Sequence, residues 1–234
     1  MKIKANIHDA VHNPASLRPS LTIDKSDIEG AGDGLFCTEF IGKGFPICEY
    51  KGDMLSQNGM VERANQGAAA YFLDLGDPAM AGLNGELFIS IDAHPENANE
   101  IGYGGFANDL YTDYPKDILD LIKEQQKETI KFRDGSSDYI NSIDWNKKLP
   151  KEDRRKVKKL LKPLVRATVN LQETYASHGY NAIYHRLKGL PSFLLMSIKD
   201  IYPGDEILVP YGPKYWEVVK NRNKKSEQKA NTKD

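Results

Sequence analysis

Short apolar runs separated by turn residues dominate the first 110 residues of the chain, and they return after residue 178. Each run mixes aliphatic and aromatic side chains and is bounded by glycine, proline or polar residues, which is the pattern of short β-strands. The predicted strands are 35–37, 45–50, 71–75, 87–91, 192–198 and 206–209. Many short strands joined by turns predict an irregular all-β or α+β fold rather than a doubly wound parallel sheet.

Between residues 111 and 177 the pattern changes to a helical spacing. Asp113 is predicted to cap a first helix with Pro115 in its first turn. A looser stretch at 133–151 precedes a second helix, in which Pro163 should produce a kink or a new start. One face of the second helix is apolar and the opposite face is basic. The basic residues are Arg154, Arg155, Lys158, Lys159 and Lys162.

These changes of pattern divide the chain into four predicted regions: an N-terminal β part (1–110), a helical insertion (111–177), a C-terminal β part (178–219) and a flexible polar tail (220–234). The basic face of the insertion has two interpretations. The favoured one is a solvated face on a packed helical lid. The other is a docking surface for an acidic protein or for nucleic acid.

Composition narrows the class of protein. Of the 234 residues, 40% are hydrophobic and 28% are charged, which indicates a folded domain. With Lys+Arg 32 against Asp+Glu 33, the net charge of -1 excludes a uniformly basic nucleic-acid coat but allows a local basic patch.

Cysteine and histidine are sparse in this chain. Cys37 and Cys48 are too few for a four-cysteine zinc site, and the histidines lack metal-ligand spacing, so we expect no metal. The sequence shows neither a signal-peptide pattern nor an apolar run of bilayer length. We therefore expect an intracellular protein that does not bind membranes, with nucleus and cytoplasm both open.

Three short motifs carry the candidate chemistry, and each one is ambiguous by itself. The glycine loop at 30–34 lets backbone amides approach a ligand, but a strand follows it where dinucleotide-binding loops have a helix. Tyr211 ends a predicted strand, a position where most tyrosines only pack. Asn108 and Asp109 follow a short apolar run and, taken alone, predict a turn.

In their order along the chain, these motifs resemble the SET domain. The ending VPYGPKYW is similar to the PR-domain branch of that family. The matching segments are 28–36, 41–44, 48–53, 71–75, 91–93, 105–109, 180–182, 198–207 and 211–212. The resemblance covers residues 20–110 and 178–217. It implies a mainly β SET-domain fold of small curled sheets around a knot-like active site, with a helical insertion.

The resemblance also implies an S-adenosylmethionine-dependent protein-lysine methyltransferase. Tyr211 is implied to be the catalytic tyrosine, Tyr50 to line the lysine channel, and Trp216, with Tyr215 beside it, to stack on adenine. The implied cofactor-binding residues are Ala31, Gly32, Asp33, Gly34, Tyr71, Phe106, Ala107, Asn108, Tyr211 and Trp216. An apolar channel would favour the neutral amine of lysine, whose ordinary pKa is about 10.4, and aligned displacement would then transfer the methyl group.

Some positions depart from the usual family pattern. Gly105 and Asp109 stand where the family commonly has arginine and histidine, which weakens the implied polar contacts of the cofactor pocket. Val209, two residues before the tyrosine, leaves the number of transferred methyl groups open.

The target also stays open at this point. The implied substrate is a lysine of a histone or of a non-histone protein such as a ribosomal protein. The alternative from another class is a catalytically silent SET-like adaptor, with which Gly105 and Asp109 are consistent. The retention of Tyr50, Asn108 and Tyr211 favours the enzyme.

Overall fold

The computed structural model describes residues 19–65, 72–74, 80–81, 87–94, 102–143, 147–186 and 192–231. The chain divides into two units. The first, which we call the β unit, consists of Met1–Tyr111 and Gly179–Asp234. The second, the helical unit, is Thr112–His178.

The first sheet of the β unit is a hairpin built around the glycine loop. Strands β1 (Leu21–Lys25) and β2 (Asp33–Cys37) pair antiparallel. Gly30 and Gly32 in the connecting loop have φ angles of 78° and 80°, a left-handed conformation that residues with a Cβ rarely adopt. The glycines of the loop are therefore required by the shape of the turn itself.

Two further antiparallel sheets complete the β unit. One has the strand order β3 (Pro46–Tyr50), β9 (Phe193–Ser197), β8 (Ala182–Arg186). The strands of the other sheet are β4 (Asp53–Ser56), β5 (Phe72–Asp74), β6 (Met80–Ala81) and β7 (Leu87–Asp92). In this sheet β7 pairs with β4, β5 and β6, and helix α1 (Gln57–Asn65) follows β4 directly. A short 3-10 turn, Tyr103–Phe106, precedes Ala107 and Asn108.

A buried ion pair joins the third sheet to α1. Asp53 and Asp92 lie opposite each other on β4 and β7, so two like charges face across the ladder. Arg63 of α1 contacts both carboxylates, at 2.8 Å from Asp53 and 3.0 Å from Asp92. Burial raises the pKa of the Asp92 carboxyl, while the His94 backbone N–H and the Arg63 charge act to lower it. Arg63 therefore compensates a carboxylate that has no access to water.

Residues 206–209 were predicted to form a strand, and this prediction is wrong because they form no continuous ladder. This segment makes only isolated bridges, from Glu206 to Phe36 and from Leu208 to Asn108. Its backbone alternates between partners: Ile207 N–H donates to the Leu35 carbonyl at 2.6 Å, whereas the Leu208 N–H bonds the side chain of Asn181. The segment threads between other parts of the β unit, so no continuous ladder forms, and Ile207 and Val209 are fully buried.

The helical unit contains two long helices that pack against each other, α2 (Lys116–Asn141) and α3 (Lys151–Ser177). Helix α2 extends through part of the stretch that was predicted to be loose. Helix α3 continues through Pro163 without the predicted new start. Because Pro163 and Lys159 are exposed, water can bond the carbonyl that proline leaves without a helical donor.

The end of the chain differs from the predicted flexible tail. Helix α4 runs from Pro213 to Asn231, so the polar segment after residue 220 is helical almost to its end. The segment is polar, but it is rich in lysine, glutamate and glutamine, which are good helix formers. In the part of the chain that the structure describes, no helix is long and apolar enough to cross a membrane.

Candidate active site

A hydrogen-bonded group around Asn108 joins the glycine loop to the threaded segment. The side-chain amide of Asn108 donates to the Asp33 carbonyl at 3.0 Å and to Glu206 Oε1 at 2.9 Å. Ser26, at the start of the glycine loop, donates to the same carboxylate oxygen at 2.9 Å. Since both amide hydrogens of Asn108 are engaged, its side-chain orientation is fixed and Oδ1 remains as an acceptor.

Asp109 is the centre of a second group. Its Oδ2 accepts from the Tyr211 backbone N–H at 2.8 Å and from Trp216 Nε1 at 2.9 Å. Its Oδ1 accepts from the buried Tyr180 hydroxyl and from the Tyr111 N–H at 3.2 Å. A carboxylate can accept all of these bonds at once, whereas a histidine could not. The departure from the family pattern at position 109 thus adds polar contacts to the site.

An aromatic cluster lies next to Asp109. Tyr211 and Trp216 stack with their ring planes 21° apart and centroids 6.1 Å apart. Tyr215 meets both rings edge-on, at 4.8 Å from Tyr211 and 5.0 Å from Trp216. The three rings are half-buried, so part of this aromatic surface is accessible to solvent. The structure thus brings together Tyr211, Tyr215 and Trp216, the three aromatic residues that the sequence analysis selected near the C-terminus.

Tyr211 also bonds inward through its side chain. Its hydroxyl donates to the Ala107 carbonyl at 2.6 Å. Ala107 itself is fully buried, and Phe106 packs at the edge of the same core. The contribution of Ala107 to the site is therefore its carbonyl rather than its methyl group.

Tyr50 meets a tyrosine that the sequence analysis did not single out. Tyr184 of β8 lies edge-on to Tyr50, with ring centroids 5.3 Å apart, and donates to the Gly104 carbonyl at 3.1 Å. Tyr184 packs against both hydrophobic clusters of the β unit. Burial raises its pKa well above the ordinary value, and the nearby Tyr211 and Tyr50 act in the same direction. At neutral pH this tyrosine is therefore an uncharged phenol.

The glycine-loop residues reach the site mainly through their backbone. The Asp33 carbonyl bonds Asn108, while its side chain points to solvent and pairs with Lys25. Gly34 is close to Glu206: a Cβ at this position would overlap its carboxylate. Gly32 has no atom within 4 Å of the place a Cβ would take, so space remains beside the loop, next to Ala31. Tyr71 lies outside the described residues.

The sequence analysis did not identify three residues of the site: Glu206, Asp109 and Tyr184. Glu206 follows the turn before the threaded segment. Asp109 is a departure from the family pattern, and its polar contacts were not predicted. Tyr184 lies two residues from buried Ala182, on the same face of β8, so strand alternation could have identified it. Among the described residues, no group of three or more His, Cys, Asp and Glu side chains is placed to hold a metal ion.

Comparison with known proteins identifies the family of this chain. The sequence profile described as SET domain matches residues 32–212. No curated protein sequence matches the chain significantly. Among solved structures, the chain is similar to a humanized mutant of the Chaetomium thermophilum Polycomb Repressive Complex 2 bound to the inhibitor GSK126, with 16% identity and a TM-score of 0.41.

That similarity covers 83% of this chain but only 15% of the other chain, and it is too weak to bear on function. The profile match is different, because it spans most of the sequence and includes Gly32–Gly34 of the glycine loop, Asn108 and Tyr211. The resemblance and the fold class predicted from the sequence are confirmed. This chain belongs to the SET-domain family.

Proposed function

We propose that this protein is a protein-lysine N-methyltransferase that uses S-adenosylmethionine, with Tyr211 as its catalytic tyrosine. One observation carries the proposal: Tyr211 is held at both ends, its hydroxyl by the Ala107 carbonyl and its backbone N–H by Asp109. Asn108 and the glycine loop lie on the same side of the chain's threaded segment. A tyrosine fixed in this way is suited to a reaction that depends on alignment.

The chemistry of the donor set fits the cofactor. Asn108 Oδ1 is an acceptor in a fixed orientation, which suits the ammonium group of a methionine moiety. The space beside Gly32 allows a ligand to approach the loop backbone. Trp216, held by its Nε1 bond to Asp109, offers a planar surface for a purine. When bound, S-adenosylmethionine would supply a methyl group attached to a positively charged sulfur.

The hydroxyl of Tyr211 has a defined role in this proposal. Because its proton is donated to the Ala107 carbonyl, its oxygen lone pairs point elsewhere and can accept weak C–H···O contacts from a polarised methyl group. The role is positional, and no proton needs to leave Tyr211. Replacing the hydroxyl by hydrogen removes both the anchor and the acceptor.

Tyr50 and Tyr184 supply the other requirement, a route for the neutral amine. An amine of pKa about 10.4 is mostly charged at pH 7, and a charged amine has no lone pair for attack. The rings of Tyr50 and Tyr184 pack edge-on, and burial keeps Tyr184 an uncharged phenol, so the two side chains supply aromatic surroundings. Transfer of a lysine side chain into such surroundings favours loss of its proton.

The substrate we propose is a lysine-bearing protein, with a histone as the first candidate and a ribosomal or other non-histone protein as the alternative. A silent adaptor is less well supported than it was from the sequence. The sequence favoured it only through the polar side chains that are lost at Gly105 and Asp109. Asp109 makes such contacts to Tyr211 and Trp216, so its presence does not argue for lost activity.

The test is transfer of labelled methyl groups from S-adenosylmethionine to core histones and to whole-cell lysate. We expect a labelled protein band with the unaltered chain and at least a hundredfold weaker label with Tyr211→Phe. Tyr202→Phe is the matched control, because Tyr202 is 59% exposed and packs only on Phe40 in the aromatic contacts described. It should keep full activity.

The outcomes separate the hypotheses. Cofactor binding by calorimetry without transfer to any protein would favour the adaptor. Equal activity in Tyr211→Phe and the unaltered chain would refute the role of Tyr211. Absence of both binding and transfer would leave only the family and the fold.

A further inference from the structure

One face of helix α3 carries six basic residues, which we call the basic face. All six side chains are exposed. They are Arg154, Arg155, Lys158, Lys159, Lys162 and Arg166. At about 3.6 residues per turn they fall within an arc of about 140°, and four of them recur every fourth residue over about 18 Å. They form a row that winds gradually around one side of a single helix.

The opposite side of α3 is the packed side of the helical unit. Val157, Ala167 and Tyr175 on that side are buried. Asp153 accepts a hydrogen bond from the Tyr139 hydroxyl at 2.8 Å, and Lys156 lies over the Tyr139 ring at 3.6 Å. Asp153 and Lys156 are thus engaged with α2. The packing of α2 against α3 leaves the basic face exposed.

The charge of this face is not balanced locally. No aspartate or glutamate occurs in the sequence between residues 154 and 172. Within the described ranges, no ion pair includes any of the six residues. The asymmetry extends to the whole unit: Thr112–His178 has fifteen basic and eleven acidic residues, although the net charge of the chain is -1. A positive surface is therefore concentrated on one side of one helix.

We propose that the basic face binds the phosphate backbone of double-helical DNA without sequence preference. A duplex carries one charge per about 1.7 Å, so an 18 Å row faces about ten phosphates. The face has no aromatic side chain, which single-strand binders use for stacking on bases. The exposed apolar residues on it are Val165 and Val169, too small to act as the aromatic anchors that dominate protein–protein interfaces.

The proposal predicts a defined salt dependence. If the six cations each neutralise one phosphate, the logarithm of the affinity should fall with the logarithm of salt with a slope of about -5. Removing four of them should reduce that slope by between about 3 and 4. Because binding is measured directly, the result does not depend on whether the protein transfers methyl groups.

The experiment is fluorescence anisotropy of a labelled 20-base-pair DNA duplex of mixed sequence, titrated with the full chain in 50 to 200 mM salt. The test variant is Arg154→Glu, Lys158→Glu, Lys162→Glu and Arg166→Glu together. We expect its affinity at 100 mM salt to fall at least about tenfold, with the reduced slope. A second variant with glutamine at the same four positions guards against an effect of the new negative charges on folding, and it should also lose affinity.

The matched control reverses four exposed lysines of α2, Lys116, Lys123, Lys127 and Lys131, and so changes the net charge of the same unit equally. It should lose less than about threefold. Equal losses in the two charge-reversed proteins would overturn the proposal, because the effect would then come from total charge. Failure of the unaltered chain to bind the duplex at 50 mM salt would also overturn it. If the chain bound single-stranded RNA or polyglutamate more tightly than the duplex, the proposal of double-helical DNA as the partner would be overturned in favour of that ligand.

Discussion

The β unit and the helical unit use their polar residues in opposite ways. In the β unit, charged and amide side chains turn inward: Asp109, Asn108 and Asp92 are each less than 10% exposed and each is bonded by several groups. In the helical unit, the cations of α3 point to solvent from one exposed face. The β unit therefore fixes positions, whereas the helical unit presents charge. Buried polar groups demand full satisfaction, and exposed ones do not.

The largest expected difference between the two units is in the free energy of unfolding when a basic side chain is removed. Arg63→Met should lower the free energy of unfolding by about 3 kcal/mol at pH 7, because it leaves Asp92 buried without its partner. Arg154→Met, on the basic face, should change it by less than about 0.5 kcal/mol. Urea denaturation of both variants measures the contrast, and similar values would contradict it.

The Arg63 effect should also depend on pH in a stated direction. Burial already raises the pKa of Asp92, and loss of Arg63 would raise it further. A raised folded-state pKa costs stability above the unfolded-state pKa of about 3.9, and the cost grows until the pH passes the folded-state value. The destabilisation by Arg63→Met should therefore be smaller at pH 4 than at pH 7.

The second prediction concerns a carboxylate of each unit. Asp109→Asn replaces one acceptor oxygen by a donor that opposes the bonds from Tyr211, Trp216 or Tyr180, and should weaken the proposed cofactor binding by between about 10-fold and 100-fold. Asp134→Asn, at an exposed pair with Arg133, should have no effect.

A spectroscopic readout separates positioning from general damage. Trp216 and Trp145 are the two tryptophans of the chain, so Trp145→Phe leaves the emission of Trp216 alone. In that background Asp109→Ala should shift the emission of Trp216, since the acceptor of the Nε1 bond is removed. An unshifted spectrum with normal cofactor affinity would show that Asp109 does not position the ring.

The third contrast uses two glycines. Gly34→Ala places a methyl group against the Glu206 carboxylate, which also holds Asn108, so we expect a loss of about 1 to 2 kcal/mol. Gly135→Ala lies in α2 with nothing within 4 Å of the new Cβ and should stabilise the helix by up to about 1 kcal/mol. Thermal unfolding of the two variants should therefore shift in opposite directions, and a shift in the same direction would count against this packing.

The smallest effect is at the base of the helical unit. Asp117 near the start of α2 is 2.7 Å from His178, which follows α3, and this hydrogen bond lowers the pKa of Asp117. A lowered carboxyl pKa contributes stability above the unfolded-state value of about 3.9 and loses it as the pH falls through the folded value. Acid titration of helix content in Asp117→Asn should lack this contribution, and an unchanged titration would show that the contact is not made in solution.

The same contrast explains how much could be predicted from the sequence. The helices of the helical unit follow from local periodicity, and only their ends and the alternative of a new helix start at Pro163 were predicted wrongly. The order of motifs led to the fold of the β unit and to Tyr211 and Asn108. What could not be predicted rests on long-range pairing: Glu206 bonds Ser26 across 180 residues, and Tyr184 meets Tyr50 between two strands. No local pattern contains such information.

The two ends of the insertion are held together on the β unit before the chain leaves it. Tyr180 bonds Asp109 and packs edge-on against Tyr111, with ring centroids 5.9 Å apart. The points where the chain leaves and re-enters the β unit are thus joined through the same carboxylate that bonds Tyr211 and Trp216. Such a closed connection makes the insertion exchangeable, since one helical module can replace another without changing the bonds around Asp109. The helical module can therefore diverge in sequence while the bonded group around Asp109 stays constant.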